Sequence, residues 1–345
     1  MDKNPTIGLD IGGTKIRGAI VDEDGSLIGD VNVIKLPIKR SRKTFEDSLF
    51  KCLNALVENF KNQFPNNELR IGIGSAGPLS TIDGTLYSPE NIGCGVYEIN
   101  NIICENFPVN KIVLINDCEA IALGYYKYGE GKSQGQGVEA LGLIAPGTGL
   151  GAAMILNGRP YWGSKNTGYL AVELSRTPYF GSTVDEVKAN IGINLEDFAS
   201  GMAVYPILMK VFGGPNDQKI LDKINKTRDE DKAWIIEQFA RKNKSKEFID
   251  KYPDFINLEV DEKCLLTYKN IGKHLGFATA AFITNFNPDI LILEGSIMNA
   301  YDLFKDEMFE AFKSAVYPEH RKTPIVKGTL KYAGIKGASY FVRLY

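Results

Sequence analysis

The chain has 345 residues, 44% hydrophobic and 24% charged, a composition ordinary for a soluble globular protein and a length that fits about two domains at the usual ~150 residues each. Its 40 Lys and Arg against 42 Asp and Glu leave a net charge of -2, which gives no footprint for nucleic acid or an anionic membrane. Five scattered cysteines (Cys52, Cys94, Cys104, Cys118, Cys264) never form CxxC, and His274 and His320 are the only histidines; this argues against a disulfide scaffold, a Cys/His zinc cluster and a histidine-based nucleophilic triad.

Residues 1–5 lead straight into a strand pattern, so no signal peptide is expected. No apolar run approaches the ~18 residues that span a bilayer. A cytoplasmic protein with reduced thiols is the expectation.

Residues 6–29, TIGLDIGGTKIRGAIVDEDGSLIG, read as strand, Gly-Gly-Thr turn, strand, Asp-Gly turn, strand. Leu49, Leu53, Leu56, Val57 and Phe60 form a helical stripe within 44–64. Strands are expected at 70–74 and 112–115, and a helix at 119–126. Residues 141–163, LGLIAPGTGLGAAMILNGRPYWG, repeat the opening plan with Gly-Thr-Gly and Asn-Gly turns. The Thr-to-turn-Gly spacing is 11 in the first (Thr14 to Gly25) and 10 in the second (Thr148 to Gly158), so turn type, spacing and position agree on a duplicated domain. A helix is expected over 195–212. Residues 213–262 are charge-rich, with an amphipathic patch at Trp234, Ile235, Phe239 and Ala240, and read as a solvated helical insertion or lid. A long helix with a small-residue face (Gly276, Ala278, Ala280, Ala281) is expected over 268–285, then a strand at 290–293 and a final helix over 334–342. Antiparallel meanders followed by alternating helices and strands indicate an α/β fold with mixed sheets.

GIGSAG at 72–77 matches GxGxxG after a strand, but Pro78 and a turn-rich stretch follow where a dinucleotide site needs a helix; an NAD-dependent oxidoreductase is therefore discounted. Asp10 stands immediately before Gly12-Gly13-Thr14, a turn whose amides and hydroxyl suit phosphate oxygens. A carboxylate there requires a divalent cation between it and phosphate, which points to Mg²⁺; the alternative is an aspartate that caps the turn. Gly147-Thr148-Gly149 is the second phosphate-loop candidate. Gly295-Ser296, after the strand at 290–293, offers a close backbone approach for an adenosine or else a plain strand-to-helix turn. Asn116-Asp117 ends the strand at 112–115, where α/β folds place ligand-binding residues. Asp117 can take a proton from a hydroxyl, and Asn116 can donate and accept. The competing reading makes Asp117 the N-cap of the following helix.

Taken in order, LDIGGTKIRGAIVD, IGSAGP, INDCEAIALG, APGTGLGAA, LEDFASG and NFNPDILILEGS resemble the ROK family of sugar kinases and sugar-responsive regulators over nearly the whole chain. The resemblance implies an actin-like, ribonuclease-H-like ATPase fold of two duplicated lobes around a central cleft. It implies a small lobe of 1–115 with 334–345, and a large lobe of 116–333 carrying the insertion at 213–262. By the same likeness Asp117 is the catalytic base, and Asn91, Asn116, Ser75 and Gly77 join it at the sugar. Asp10, Gly12, Gly13, Thr14, Lys15, Gly147, Thr148, Gly149, Gly295 and Ser296 frame ATP, with Asp10 toward Mg²⁺. Glu173 retains the glutamate of the family's Glu-x-Gly-His sugar motif, here Glu173-Leu174-Ser175-Arg176, so Arg176 replaces the histidine. The cysteine-rich zinc motif that normally follows is absent between 179 and 194, and no zinc is expected. Arg176 is either a donor to a C1 hydroxyl, N-acetyl carbonyl or carboxylate, or a surface residue.

The function so implied is ATP-dependent transfer to the 6-hydroxyl of a hexose by a glucokinase-type enzyme acting as a homodimer. Retained Asn91 and Glu173 favour a pyranose hexose, with an amino sugar such as N-acetylmannosamine as the alternative. A non-catalytic sugar-sensing regulator would carry a DNA-binding helical domain before the first strand, for which residues 1–5 leave no space.

Overall fold

Residues 4–89, 91–133, 137–164, 172–179, 194–212, 217–241, 244–255 and 260–345 are described by a computed structural model. The opening meander forms as its pattern demands: β1 (Thr6–Ile11), β2 (Lys15–Val21) and β3 (Leu27–Lys35) pair antiparallel, with Asp10 opposite Arg17 and Lys15 opposite Lys35. Gly25 supplies the positive φ (85°) of the second turn. Helix α1 (Arg42–Gln63) starts at a capping box between Ser41 and Thr44 and buries the whole expected stripe from Leu49 to Phe60. Strand β4 (Arg70–Ser75) runs parallel beside β1. A small sheet of β5 (Leu79–Ser80), β6 (Thr85–Tyr87) and β7 (Val96–Tyr97) follows, then helix α2 (Ile99–Asn106). Strand β8 (Lys111–Asn116) pairs parallel with β4 and passes directly into α3 (Asp117–Tyr128) and a single turn, α4 (Glu130–Ser133).

The second meander comprises β9 (Ala140–Pro146), β10 (Leu150–Leu156) and β11 (Arg159–Pro160). Asn157 and Gly158 both take positive φ (51° and 76°), the type I′ geometry that the Asn-Gly pair predicts. The first large sheet has the order β3-β2-β1-β4-β8. The second has β11-β10-β9-β12-β13, where β12 is Ile290–Leu293 and β13 is Ile325–Lys327. Both read third, second and first strand of a meander, then two later strands, so the duplication is one of topology.

The chain packs as two compact units. The first comprises residues 1–143, 153–172 and 328–345; the second, 144–152 and 173–327. Helix α3 packs along the final helix α12 (Ala333–Leu344), and both lie in the first unit. One core of that unit lies between β1, β2, β4 and α1, around Ile7, Leu9, Ile71, Leu53 and Phe60. On the other side of the sheet, Ile335 of α12 packs on Ala19 and Val21. The approach is backbone to backbone: a Cβ on Gly72 would lie 1.8 Å from the Ala338 carbonyl oxygen. The first two glycines of GIGSAG therefore serve packing. Beyond Ser75 the chain turns into β5, and no helix forms there.

In the second unit the helix expected over 195–212 is two, α5 (Glu196–Ala199) and α6 (Gly201–Val211), broken at Ser200, whose backbone is extended. Helices α7 (Asp217–Asn225), α8 (Asp229–Ala240) and α9 (Lys246–Lys251) occupy the charge-rich stretch. That stretch is more than solvated helical faces: Ile235, Phe239 and Phe248 are fully buried, and Tyr268 donates its hydroxyl to the Ala233 carbonyl at 2.8 Å. Tyr268 belongs to α10 (Asp261–Phe286), longer at its start than expected, which ends at Asn287 in the left-handed region. Its Gly276 lies against the Met308 carbonyl of α11 (Lys305–Ala315). No helix among the described residues is long and apolar enough to cross a membrane.

Candidate active site

In the first unit, three parallel strands deliver polar residues at their C-terminal ends. Ile11, Ser75 and Asn116 stand in register across β1, β4 and β8, with Asp10 one residue earlier and Asp117 one later. The strand stretches just before these positions are apolar, so the polar groups gather at the C-terminal ends. Asp10 is ion-paired with Arg17 across the β1–β2 register. Gly12 N–H donates to the Lys15 carbonyl at 3.1 Å and closes the turn, leaving Thr14 and Lys15 exposed. A Cβ on Gly13 would meet Asn91 at 3.0 Å, so the sugar-site candidate Asn91 lies against the glycine turn. Arg40 donates to the Asn91 carbonyl and fixes that loop. Ser75 is fully buried. Gly77 sits beside the Asn116 amide, 3.8 Å from Nδ2 to where a Cβ would stand.

The competing reading of Asp117 needs correction: the N-cap of α3 is Asn116. Its Oδ1 accepts the Cys118 N–H at 2.9 Å, and Glu119 reaches back to the Asn116 N–H at 3.3 Å, a capping box. Capping thus falls to Asn116, and Asp117 occupies the first helical position, its Oδ1 sharing the Cys118 N–H at 2.9 Å. Asp117 keeps some exposed surface, yet the surrounding protein strips water from its carboxyl and pushes its pKa up to about 6, with the nearby Asp10 charge adding to the rise.

In the second unit, Gly147 N–H bonds the Gly149 carbonyl at 2.9 Å, making a tight turn with Thr148 exposed at its tip. Gly295, at φ 130°, lies on this turn, with its Cβ position 2.4 Å from the Pro146 carbonyl oxygen; Ser296 opens a 3-10 helix there. The start of α6 holds the same turn, as Gly201 and Met202 N–H groups donate to the Gly147 and Thr148 carbonyls at 2.8 and 3.1 Å. Glu196 accepts the Leu150 N–H at 2.8 Å. Glu173 takes the N-cap position of a 3-10 turn, Leu174–Arg176, whose last residue is Arg176, and both are exposed. Protein packed around Glu173 raises its pKa, Arg176 opposes the rise and Glu196 adds to it. The zinc-motif segment, 180–193, lies outside the described residues.

The structure thus collects Asp10, Gly12, Gly13, Thr14, Lys15, Ser75, Gly77, Asn91, Asn116 and Asp117 in one unit, and Gly147, Thr148, Gly149, Glu173, Arg176, Gly295 and Ser296 in the other. Arg17, Glu119 and Glu196 escaped the sequence reading. The N-x-x-E spacing from Asn116 carried a signal for Glu119; LEDFASG marked the neighbourhood of Glu196 without its role.

The sequence model of the ROK family matches residues 6–344. The chain belongs to the ROK family. Among ROK relatives it is similar to a glucokinase of Streptomyces coelicolor, 29% identical over 154 residues, which are 45% of this chain and 44% of that one. The match thus spans less than half of that relative's length. It is also similar to the xylose repressor of Caldicellulosiruptor bescii, 25% identical over 317 residues, 90% of this chain and 70% of the other. Of solved structures, a ROK family glucokinase from Streptomyces griseus in complex with glucose and AMPPNP superposes with a TM-score of 0.72 at 21% identity, covering 99% of this chain and 100% of that one. The fold is the actin-like ATPase fold of ROK sugar kinases.

Proposed function

We propose that the protein is an ATP-dependent sugar kinase that phosphorylates the 6-hydroxyl of a hexose, with Asp117 as general base. The observation that carries this reading is Asp117 at the end of β8, beside Asp10 and the Gly12-Gly13-Thr14 turn, with a pKa near 6. A carboxyl in that range is ionised at neutral pH and still basic enough to take a proton as the hydroxyl attacks. Phosphoryl transfer depends mainly on positioning and charge neutralisation, which glycine turns and one oriented carboxylate supply. The cap bond through Oδ1 fixes Asn116, so its amide is held to receive sugar hydroxyls together with Asn91. By the family likeness, Glu173 and Arg176 are the sugar-binding candidates of the second unit.

The donor chemistry fits Mg²⁺: Asp10 offers hard carboxylate oxygens next to a second carboxylate, offset by one guanidinium. Among the described residues no group of three or more His, Cys, Asp or Glu is placed to hold a metal alone, which suits a cation carried on nucleotide phosphates. Bound there, Mg²⁺ would neutralise charge on the transferring phosphates. The chain's contribution is to place Asp10 toward it and to keep Asp117 free to accept the proton.

The test is ADP release measured across glucose, mannose, fructose, glucosamine, N-acetylglucosamine and N-acetylmannosamine, for wild type and Asp117→Asn. Turnover on one hexose that Asp117→Asn abolishes supports the reading. Sugar binding without turnover on any of them would instead make the protein a sensor, and near-normal activity in the variant removes Asp117 as base.

A further inference from the structure

We propose that Glu196 is a positioning residue through which the Glu173–Arg176 segment and the Gly147–Gly149 turn influence each other's ligands; this rests on the sugar and nucleotide roles given to those segments above. The short stretch from Leu195 to Met202 is tied to both. At its start, Leu195 N–H donates to the Thr177 carbonyl at 3.1 Å, one residue beyond Arg176, and Asn194 bridges Pro178. At its end, Gly201 and Met202 donate to the Gly147 and Thr148 carbonyls. Between these anchors stands Glu196, whose Oε2 accepts the N–H of buried Leu150.

The glycine at 149 is what admits the carboxylate: a Cβ there would lie 2.3 Å from Oε2. Toward the sugar segment, the Glu196 charge acts on Glu173. Phe198, two residues along, packs edge-on against Tyr179 with ring centroids 5.1 Å apart, and the Tyr179 hydroxyl bonds Nδ1 of His274 on α10 at 2.8 Å. The brace is thus fixed to a long buried helix. Movement of the Glu173–Arg176 segment on binding sugar must carry Leu195, and with it the carboxylate that shapes the Gly-Thr-Gly turn. Coupling of this kind is reciprocal, so each ligand changes the affinity of the other by one factor.

Calorimetry of AMPPNP binding, with and without the hexose selected by the ADP-release panel, tests the proposal. Wild type is expected to bind AMPPNP at least about fivefold tighter with hexose present. In Glu196→Ala that ratio falls to one while each ligand alone still binds, and Glu196→Gln, which keeps an acceptor for Leu150 N–H, restores most of it. Should Glu196→Ala fail to fold by circular dichroism, Glu196→Asp, too short to reach that N–H, carries the same expectation. A wild-type ratio of one, or an unchanged ratio in Glu196→Ala, overturns the proposal. Unaltered hexose affinity in Glu173→Ala overturns instead the sugar role on which it rests.

Discussion

The carboxyls of Asp10 and Asp117, at the ends of β1 and β8, lie close enough that the charge of the first raises the pKa of the second beyond what burial alone does. As the base proposed above, Asp117 must be ionised to work, so kcat/KM should rise with pH through about 6 and level off above it. Below that point it should drop about tenfold for each step of one in pH, as expected for one group. A rate profile flat from pH 5 to 8 would show that another group takes the proton.

The same shift has a stability sign. A carboxyl whose folded pKa lies above its unfolded value favours the folded state fully below the unfolded value, near 3.8, and loses that contribution as pH rises through about 6. At pH 8 the ionised Asp117 therefore costs stability, on the order of 1–3 kcal/mol, since each tenfold change in proton affinity is worth ~1.4 kcal/mol. Asp117→Asn should be inactive yet melt higher than wild type at pH 8, and the gap should close toward pH 4. Thermal denaturation at the two pH values decides it.

Asn116 serves as helix cap and as candidate sugar ligand, and two variants separate the roles. Asn116→Ala should lose about 1 kcal/mol of stability with the cap. Asn116→Ser keeps a capping oxygen and should hold the melting temperature while raising the KM for sugar. Equal sugar KM in Asn116→Ser and wild type would confine the residue to capping.

Gly149→Ala puts a methyl where Glu196 Oε2 sits. The carboxylate side chain can swing away, so the fold should persist while the bond to Leu150 N–H is lost. A hydrogen bond is worth about 1 kcal/mol, and the KM for ATP should rise roughly fivefold. Steady-state kinetics at saturating sugar reads this directly, and an unchanged KM would show that the turn does not hold nucleotide.

By contrast, Gly72→Ala meets backbone, the Ala338 carbonyl of α12, which cannot yield locally. Overpacking of this kind costs roughly 1–3 kcal/mol or more, visible as a lower urea midpoint. Nucleotide affinity in the surviving folded fraction should stay near wild type, since Gly72 faces the α12 backbone.

Much of the fold was readable because its signals are local. Alternation, Asp-Gly and Asn-Gly turns, and the stripe from Leu49 to Phe60 each state their own geometry within a few residues. Pro78 likewise disqualified GIGSAG from sequence alone. What was missed depends on neighbours distant along the chain. Asp and Asn are equally good caps, so only the path of β8 into α3 assigns the cap to Asn116. The break at Ser200 divides two segments with unremarkable helical composition, and its cause is the pull of Gly147 and Thr148, more than fifty residues earlier. Glu196 looks like any acidic residue in a first helical turn until Gly149 opens a place for it. Ile235 and Phe239 show the same effect in the charge-rich stretch, where packing of α8 against α10 outweighs composition, and Phe248 is buried against Phe239 and Phe255.

The seating of α12 against β1, β4 and α3 also bears on how the polypeptide is made. A ribosome releases β1 to β8 early, yet the backbone groove formed by Gly8, Gly72 and Gly124 is filled only by residues 333–344. The packing of the first unit is therefore completed only after residues 333–344 have been made, later than the whole of the second unit.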